Sequence, residues 1–226
     1  MLLGLIISRV SGIRYEEFVK REILEPLGMT RTFFDKNEVE ADPDRAVPYV
    51  VSGGKLTPSH FPYGITSYGG LLSNVLDLSK YLLLYINRGR LGDATIVSEK
   101  TIEDMERPRI SVPWQVLGGE GYGLGWIITP DFYGRRLIHH SGSVLVYTGF
   151  VGYIPEEKAG VTVLANASGY ALSRLGMYAL ALLLDEDPHR LPFVKIERII
   201  NRITGLYKSY RETMKVQVRR DGDIVY

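Results

Sequence analysis

The sequence contains no cysteine in 226 residues. A disulfide scaffold, a thiolate metal site and a cysteine nucleophile are thereby excluded together. The redox compartment stays open, because a reducing cytosol, a hot organism and a simple extracellular enzyme all suit such a chain. Charge of one sign is lacking too: 27 Lys and Arg against 26 Asp and Glu give a net charge of +1. A dedicated nucleic-acid binder carries a basic footprint that this balance does not supply, so no nucleic-acid partner is expected. No run approaches the ~18 consecutive apolar residues of a membrane span, and no membrane partner is expected either. The opening Met1-Leu-Leu-Gly-Leu-Ile-Ile7 has no basic leader and no small-residue cleavage site, and Ser8-Arg9 stop it; without a signal peptide, a cytoplasmic chain is the expectation. The remaining composition, 45% hydrophobic and 23% charged, suits one domain or one and a half with a sizeable buried core.

Residues 1 to 11 predict a buried apolar helix, with Gly12 as a left-handed stop. Arg14 to Glu25 predicts a second, since Tyr15, Phe18, Val19, Ile23 and Leu24 recur at spacings of three and four. Residues 30 to 68 hold four prolines and Gly53-Gly54. They read as a long irregular excursion of the kind that lines a binding site. Ser73-Asn74 caps a helix from Val75 to Asn87, with Asp77 as a box-like partner. Ser98 caps another to about Glu106. The texture then changes. Gly121 to Ile128, Arg136 to His140, Tyr147 to Ile154 and Gly160 to Asn166 are short apolar or alternating runs bounded by Gly and Pro. They predict four strands of a mostly antiparallel sheet, with Ala171 to Leu184 as a long apolar helix packed on it.

Pro188 and Pro192 mark a linker over residues 188–203. Residues 187–226 carry nine Lys and Arg against five acids, which reads as a solvated basic face. Met214, Val216 and Val218 alternate with polar residues, and Arg220-Asp221-Gly222-Asp223 is a hairpin turn. Two strands do not make a stable domain alone. Residues 204–226 therefore read as the start of a second β domain.

The residues best suited to chemistry are His139-His140-Ser141-Gly142-Ser143, followed by Tyr147-Thr148-Gly149 and Asn166. An imidazole, a hydroxyl and a glycine in succession line one edge of an acyl-transfer site: the side chains bind a carboxylate or relay a proton, glycine admits the substrate backbone, and the next N–H enters an oxyanion hole. A plain strand-to-turn transition accounts for the same residues. Tyr147, Tyr153 and Trp126 are the aromatic residues chosen for substrate contact. The four histidines are His60, His139, His140 and His189, and adjacent His139 and His140 in a strand point to opposite faces, so no metal is expected. The glycine-rich run from Gly118 to Gly125 has no phosphate-loop lysine, which leaves nucleotide binding unsupported and no cofactor implied.

The order of Leu2-Leu-Gly-Leu-Ile-Ile7, Val10-Ser-Gly12, Tyr15-Glu-Glu-Phe18, Ile23-Leu-Glu-Pro-Leu-Gly-Met29-Thr30 and Thr32 resembles the serine β-lactamase-like and penicillin-binding-protein-like hydrolases. The closer resemblance is to the class C β-lactamase, D-aminopeptidase and esterase branch called the CubicO group. Gly69-Gly70-Leu71 with Ser73 and Asp77, Tyr122-Gly-Leu-Gly-Trp126, His140-Ser-Gly142, Pro155 and Val163-Leu-Ala-Asn166 continue it over residues 1 to 185.

The resemblance implies an α+β fold, an antiparallel sheet flanked by helices, β-lactamase/transpeptidase-like and lacking its N-terminal part. It implies catalysis through an acyl-serine intermediate on a peptide, amide or ester substrate. His140 matches the head of the family's third motif and is the expected catalytic residue. Ser141, Gly142 and Ser143 are the expected substrate-binding residues. The family's Ser-x-x-Lys nucleophile and Tyr-x-Asn motif precede the Leu-Leu-Gly helix with which this chain opens. Ser52-Gly53-Gly54-Lys55 spells the first, but two glycines argue against the helix that would place the lysine. Tyr85-Ile86-Asn87 and Tyr207-Lys208-Ser209 spell the second and read as structural. The expectation is residues 1–187 as the C-terminal portion of the hydrolase domain, inactive alone, with the Val161 to Asn166 strand as an open edge. A separate N-terminal chain or a homo-oligomer is the expected partner. Thr204-Gly205-Leu206-Tyr207 and the strands after it resemble the lipocalin-like barrel that some archaeal peptidases of this group append, although a generic hairpin reads the same residues. That tail favours a peptidase over a β-lactamase. The competing expectation is a non-catalytic binding or assembly fragment, or a split-gene remnant.

Overall fold

A computed structural model describes residues 2–92, 94–222 and 224–226. Helix α1 (Leu2–Ser11) ends at Gly12, whose φ of +76° only glycine adopts freely. It is not the buried helix expected: only Gly4 is enclosed, against Ser67 and Tyr15, while Leu2, Leu3, Leu5 and Val10 stand exposed. Helix α2 (Tyr15–Val19) runs on through a π-helical turn, Lys20–Leu24. The excursion from residue 30 to 68 has more regular structure than expected. Asp35 accepts the Asn37 and Glu38 N–H groups and so starts α3 (Lys36–Ala41). Gly53 and Gly54, both at positive φ, close a hairpin of β1 (Tyr49–Ser52) and β2 (Lys55–Pro58).

Asn74 caps α4 (Val75–Ile86), its Oδ1 accepting the N–H groups of Leu76 at 2.9 Å and Asp77 at 3.0 Å. A short hairpin, β3 (Arg90–Leu91) and β4 (Ala94–Thr95), leads to α5 (Glu99–Met105), capped by Ser98 as expected. Then come β5 (Ile110–Ser111), β6 (Gly121–Tyr122), β7 (Ile127–Phe132), β8 (Arg135–Val144), β9 (Tyr147–Ile154) and β10 (Ala159–Ala165). Among the described residues these make one antiparallel sheet in the order β10-β9-β8-β7-β6-β5. The run from Gly121 to Ile128 is not one strand. Gly123 donates to the Trp126 carbonyl at 2.8 Å and folds the chain back. A Cβ at Gly123 would meet the Met105 carbonyl oxygen at 2.1 Å, so that turn is packed hard onto α5.

Helix α6 (Leu172–Leu183) covers one face of the sheet, where Leu137, Phe150, Ile154, Met177 and Leu180 form a closed core. The approach is close: a Cβ on Gly176 would lie 2.1 Å from the Phe150 ring. The other face packs Ile128, Ile138, Tyr153 and Trp126 against α2, α4 and α5 through Val19, Leu82, Tyr85 and Ile102. Strand β10 ends the strand order, so its outer edge carries no strand along its length among the described residues; beyond it, Ala167 makes one isolated bridge to Tyr49.

The segment read as a linker holds a 3-10 turn, Pro188–Arg190, and α7 (Pro192–Ile203). Two small hairpins follow: β11 (Gly205–Lys208) with β12 (Lys215–Val218), and β13 (Arg220–Asp221) with β14 (Ile224–Val225). Of the predicted Arg220-to-Asp223 turn, Asp223 lies outside the described residues. No helix among the described residues is long and apolar enough to cross a membrane.

Candidate functional site

Strand β8 passes from core to surface along its length. Leu137 and Ile138 are fully buried and His139 nearly so, while Ser141, Gly142 and Ser143 are exposed. The strand does not stop at His140. Pairing with β9 continues through Ser141↔Phe150, Gly142↔Gly149, Ser143↔Thr148 and Val144↔Tyr147, and the turn falls at Leu145, at φ +47°. Pairing with β7 ends earlier, at Ile127↔His139. Residues 140–144 therefore have no strand beside them on that side among the described residues. Alternation along the strand brings His140 and Gly142 to one face and His139, Ser141 and Ser143 to the other.

The two histidines meet different surroundings. His139 lies against the Phe150 ring, its Nε2 3.2 Å from Thr129 Oγ1 and its Nδ1 without a partner among the described residues. Burial, and then the neighbouring His140, push its pKa down to about 4, so it is neutral at pH 7. His140 is half-buried, with Nδ1 2.7 Å from the Ser141 carbonyl and Nε2 3.1 Å from the Tyr122 hydroxyl. A carbonyl only accepts, which puts a proton on Nδ1 and leaves the neutral ring with Nε2 as acceptor for the phenol. An imidazole held this way has an oriented basic nitrogen and a hydroxyl to exchange a proton with. Ser143 Oγ lies 3.4 Å from Thr148 Oγ1, which donates to the Ala167 carbonyl at 2.9 Å.

Gly142 opens into a cleft of about 630 Å³ between the segment around Arg31 to Ala46 and the ends of β8, β9 and β10. No atom lies within 4 Å of where a Gly142 Cβ would sit. The excursion expected to line a binding site borders this cleft through Phe33, Asp42, Arg45 and Phe61. Its floor is fixed by Asp77, which is buried on α4 and accepts from the Arg31 N–H at 2.8 Å and Thr32 Oγ1 at 2.9 Å. Burial disfavours the Asp77 carboxylate, but the hydrogen bonds from Lys80, Arg31 and Thr32 outweigh it and hold its pKa below the usual range. Asp77 thus serves tertiary contacts rather than a capping box.

Of the three aromatic residues chosen for substrate contact, Tyr147 lines the cleft and donates to the Ala46 carbonyl at 2.8 Å. Trp126 and Tyr153 are corrections: both are core residues. Trp126 packs between Tyr81 and Tyr85, and the Tyr153 hydroxyl donates to buried Glu106 at 2.7 Å. Tyr122 was missed as a site residue. Its only signal was its place at the head of the Tyr-Gly-Leu-Gly-Trp run, and no spacing rule ties it to His140. Ser52 and Lys55 face each other across the β1–β2 hairpin, Tyr85 is buried in α4, and Tyr207 lies in β11. Among the described residues no cluster of three or more His, Asp or Glu is placed to hold a metal.

An antiparallel sheet between helices, with a His-Ser-Gly strand opening onto a cleft, is the β-lactamase/transpeptidase arrangement. The Beta-lactamase family matches residues 1–186, and the chain belongs to that family. The Pab87 octamerisation domain matches residues 188–226. The octameric penicillin-binding protein homologue from Pyrococcus abyssi superposes with a TM-score of 0.94 at 56% identity, over 99% of this chain and 50% of that one. A class C β-lactamase from Rhodobacter sphaeroides shares the fold at a TM-score of 0.65 and 19% identity, over 81% of this chain and 58% of its own. The PbpX protein of Bacillus subtilis (strain 168) is 31% identical over 137 residues, 60% of this chain and 31% of that protein. Protein flp of Staphylococcus aureus (strain MRSA252) is 24% identical over 176 residues, 77% of this chain and 33% of that protein. The chain thus spans half of the Pyrococcus protein and about a third of these two curated relatives.

Proposed function

We propose that this chain supplies the substrate-binding part of a serine hydrolase that cleaves a peptide, amide or ester bond through an acyl-serine intermediate. The observation that carries this reading is His140, held between the Tyr122 hydroxyl and the Ser141 carbonyl at the point where β8 loses its β7 neighbour. An extended substrate lies along that free edge, donating to and accepting from the backbone of residues 140–144. His140 is the catalytic residue, taking or returning a proton through Nε2. Gly142 admits the substrate backbone, Ser141 contacts the leaving side, and the Ser143 N–H is one oxyanion donor. The nucleophile comes from a segment outside these residues, so turnover by this chain alone is absent or residual.

The tail points to assembly as a second role. Helix α7 exposes Ile196, Ile199 and Ile203 on one face, within the residues that match the octamerisation domain. A homo-oligomer built through this tail is the reading it supports, with residues 204–226 as a β element of that assembly.

Intact mass after incubation with a fluorophosphonate, and separately with a penicillin, tests the hydrolase reading. Each probe is tried with and without the N-terminal segment of the homologous protein added in trans. The expected result is no adduct on this chain and an adduct on the added segment that is lost in His140→Ala. An adduct on this chain alone makes one of its own serines the nucleophile and overturns the split reading. No labelling in any mixture leaves a non-catalytic assembly fragment.

A further inference from the structure

Pairing of β8 with β7 ends at His139, so no strand on that side steadies His140. One side chain stands there instead. The Tyr122 ring meets the imidazole edge to face, with centroids 5.9 Å apart and planes at 75°, and its hydroxyl lies 3.1 Å from Nε2. Nδ1 is committed to the Ser141 carbonyl at 2.7 Å. These are the two hydrogen bonds that hold the ring among the described residues. Tyr122 itself is rigidly mounted between two glycines, neither of which has room for a side chain. A Cβ on Gly121 would come 2.7 Å from the Pro108 ring, and one on Gly123 2.1 Å from the Met105 carbonyl oxygen. The Tyr122 carbonyl accepts the Arg109 N–H at 2.9 Å, and the next two N–H groups donate to the Trp126 carbonyl at 2.8 Å and the Met105 carbonyl at 3.0 Å. Gly121 and Tyr122 also pair with Ile128 and Ile127 of β7. A hydroxyl carried on backbone pinned from both sides keeps one place, which is what the support of a reacting group requires. A phenol also suits the task chemically. It donates to a bare Nε2 and accepts from a protonated one, whereas a lysine ammonium only donates.

We infer that Tyr122 is the positioning residue for His140: its hydroxyl holds the neutral ring in the Nδ1–H tautomer, with the basic lone pair of Nε2 in a fixed direction. What that nitrogen does in turnover rests on the hydrolase reading, while the way it is held rests on these contacts alone. The competing role for Tyr122 is that of an ordinary strand residue whose ring covers the sheet edge. In that case the hydroxyl is dispensable and the Ser141 carbonyl sets the tautomer by itself.

Magic-angle-spinning 15N spectra of the full 226-residue chain, labelled in histidine, read the tautomer directly, and His140→Gln assigns the His140 signals. The unsubstituted chain should show the Nδ1–H tautomer in about 10-fold excess or more, from two hydrogen bonds of ordinary strength. Tyr122→Phe keeps the ring and removes only the oxygen. It should reduce that excess about 5-fold and raise the mobility of the His140 ring, while melting and the signals of His60, His139 and His189 stay where they were. With the N-terminal segment of the homologous protein added, the same variant should slow fluorophosphonate labelling about 10-fold at saturating probe and leave the half-saturating probe concentration unchanged. An Nε2–H tautomer in the unsubstituted chain overturns the inference, and that readout needs no variant to fold. A tautomer ratio and ring mobility unchanged in Tyr122→Phe, or labelling by that variant at the unsubstituted rate, overturns it as well. If no mixture labels at all, the hydrolase reading falls and the tautomer spectra still decide the role of Tyr122, since they involve no nucleophile.

Discussion

In the sheet body, Ile138, Tyr153 and Ile154 are wholly enclosed, as are Met177 and Leu180 on α6. In the tail, Ile196, Ile199, Leu206, Val216 and Ile224 all stand exposed to solvent. The two regions are similarly rich in such side chains but differ in layers. The body has helices on both faces of one sheet, so the apolar residues at the centre of that sheet find a roof. The tail has two-stranded ribbons of two to four residues per strand and a single helix, with no second layer of its own among the described residues. It is tied down at its root, where Leu191 is buried and Phe193 and Val194 pack against the α6 core, and by Arg220 reaching Glu197 and Asn201 on α7. The body encloses its core with its own helices, whereas the tail leaves an apolar face exposed.

That contrast breaks most readily in the body. Phe150→Ala empties the contact with Gly176 and should cost about 3–5 kcal/mol in denaturant unfolding. A loss below about 1 kcal/mol would mean that the α6 face is not the core it looks like. Acid is the next largest lever. His139 has its pKa lowered from 6.5 to about 4 in the folded state, so the unfolded chain binds the extra proton. Its stabilising effect is complete above about pH 6.5 and is lost progressively down to about pH 4, a change of about 3 kcal/mol. Asp77, also depressed, adds a second loss at lower pH, as the solution falls from the ordinary carboxylate pKa through the folded one. Unfolding free energy measured across pH should therefore fall in two steps, and His139→Gln should remove only the upper one. A flat profile above pH 4 would show that the His139 ring is hydrated.

Asn74→Ala deletes the cap that starts α4 and should cost about 1 kcal/mol. It should also loosen the cleft floor, because Asn74 Nδ2 donates to the Arg31 carbonyl, which hydrogen exchange at residues 31–33 would register. The smallest effect on the body is expected in the tail. Ile199→Asp should change body stability by less than about 0.5 kcal/mol and yet disperse the assembly in sedimentation. An oligomer that survives this change, and the same change at Ile196, would place the interface elsewhere.

The helices and the strand-rich half were legible because their signals are local. Asn74 and Ser98 are caps wherever they stand before an apolar period, and Gly12 stops a helix by its own backbone freedom. The cleft was legible only as a long loop and a strand motif, since nothing local says that Arg31 and Arg45 will line the same cleft as Gly142. Tyr153 and Trp126 misled for a related reason. A polar-tipped aromatic reads the same way in a pocket and in a core, and the hydroxyl partner that decides, Glu106, lies forty-seven residues away from Tyr153. The extent of β8 was misjudged because a Gly flanked by two serines signals a turn, while cross-strand pairing with β9 carries the extended backbone on to Val144.

By itself the sequence determined the helices and strands, through periodicity and caps, and the resemblance carried by the order of its short motifs implied the α+β β-lactamase-like class and pointed to His140-Ser141-Gly142. The tertiary structure alone decided which face each of those residues occupies, that Tyr122 is the partner of His140, and that Arg31 pairs with Asp42 and Asp44. Those outcomes depend on hydrogen bonds between segments far apart in the chain, and no local pattern encodes the distance between them.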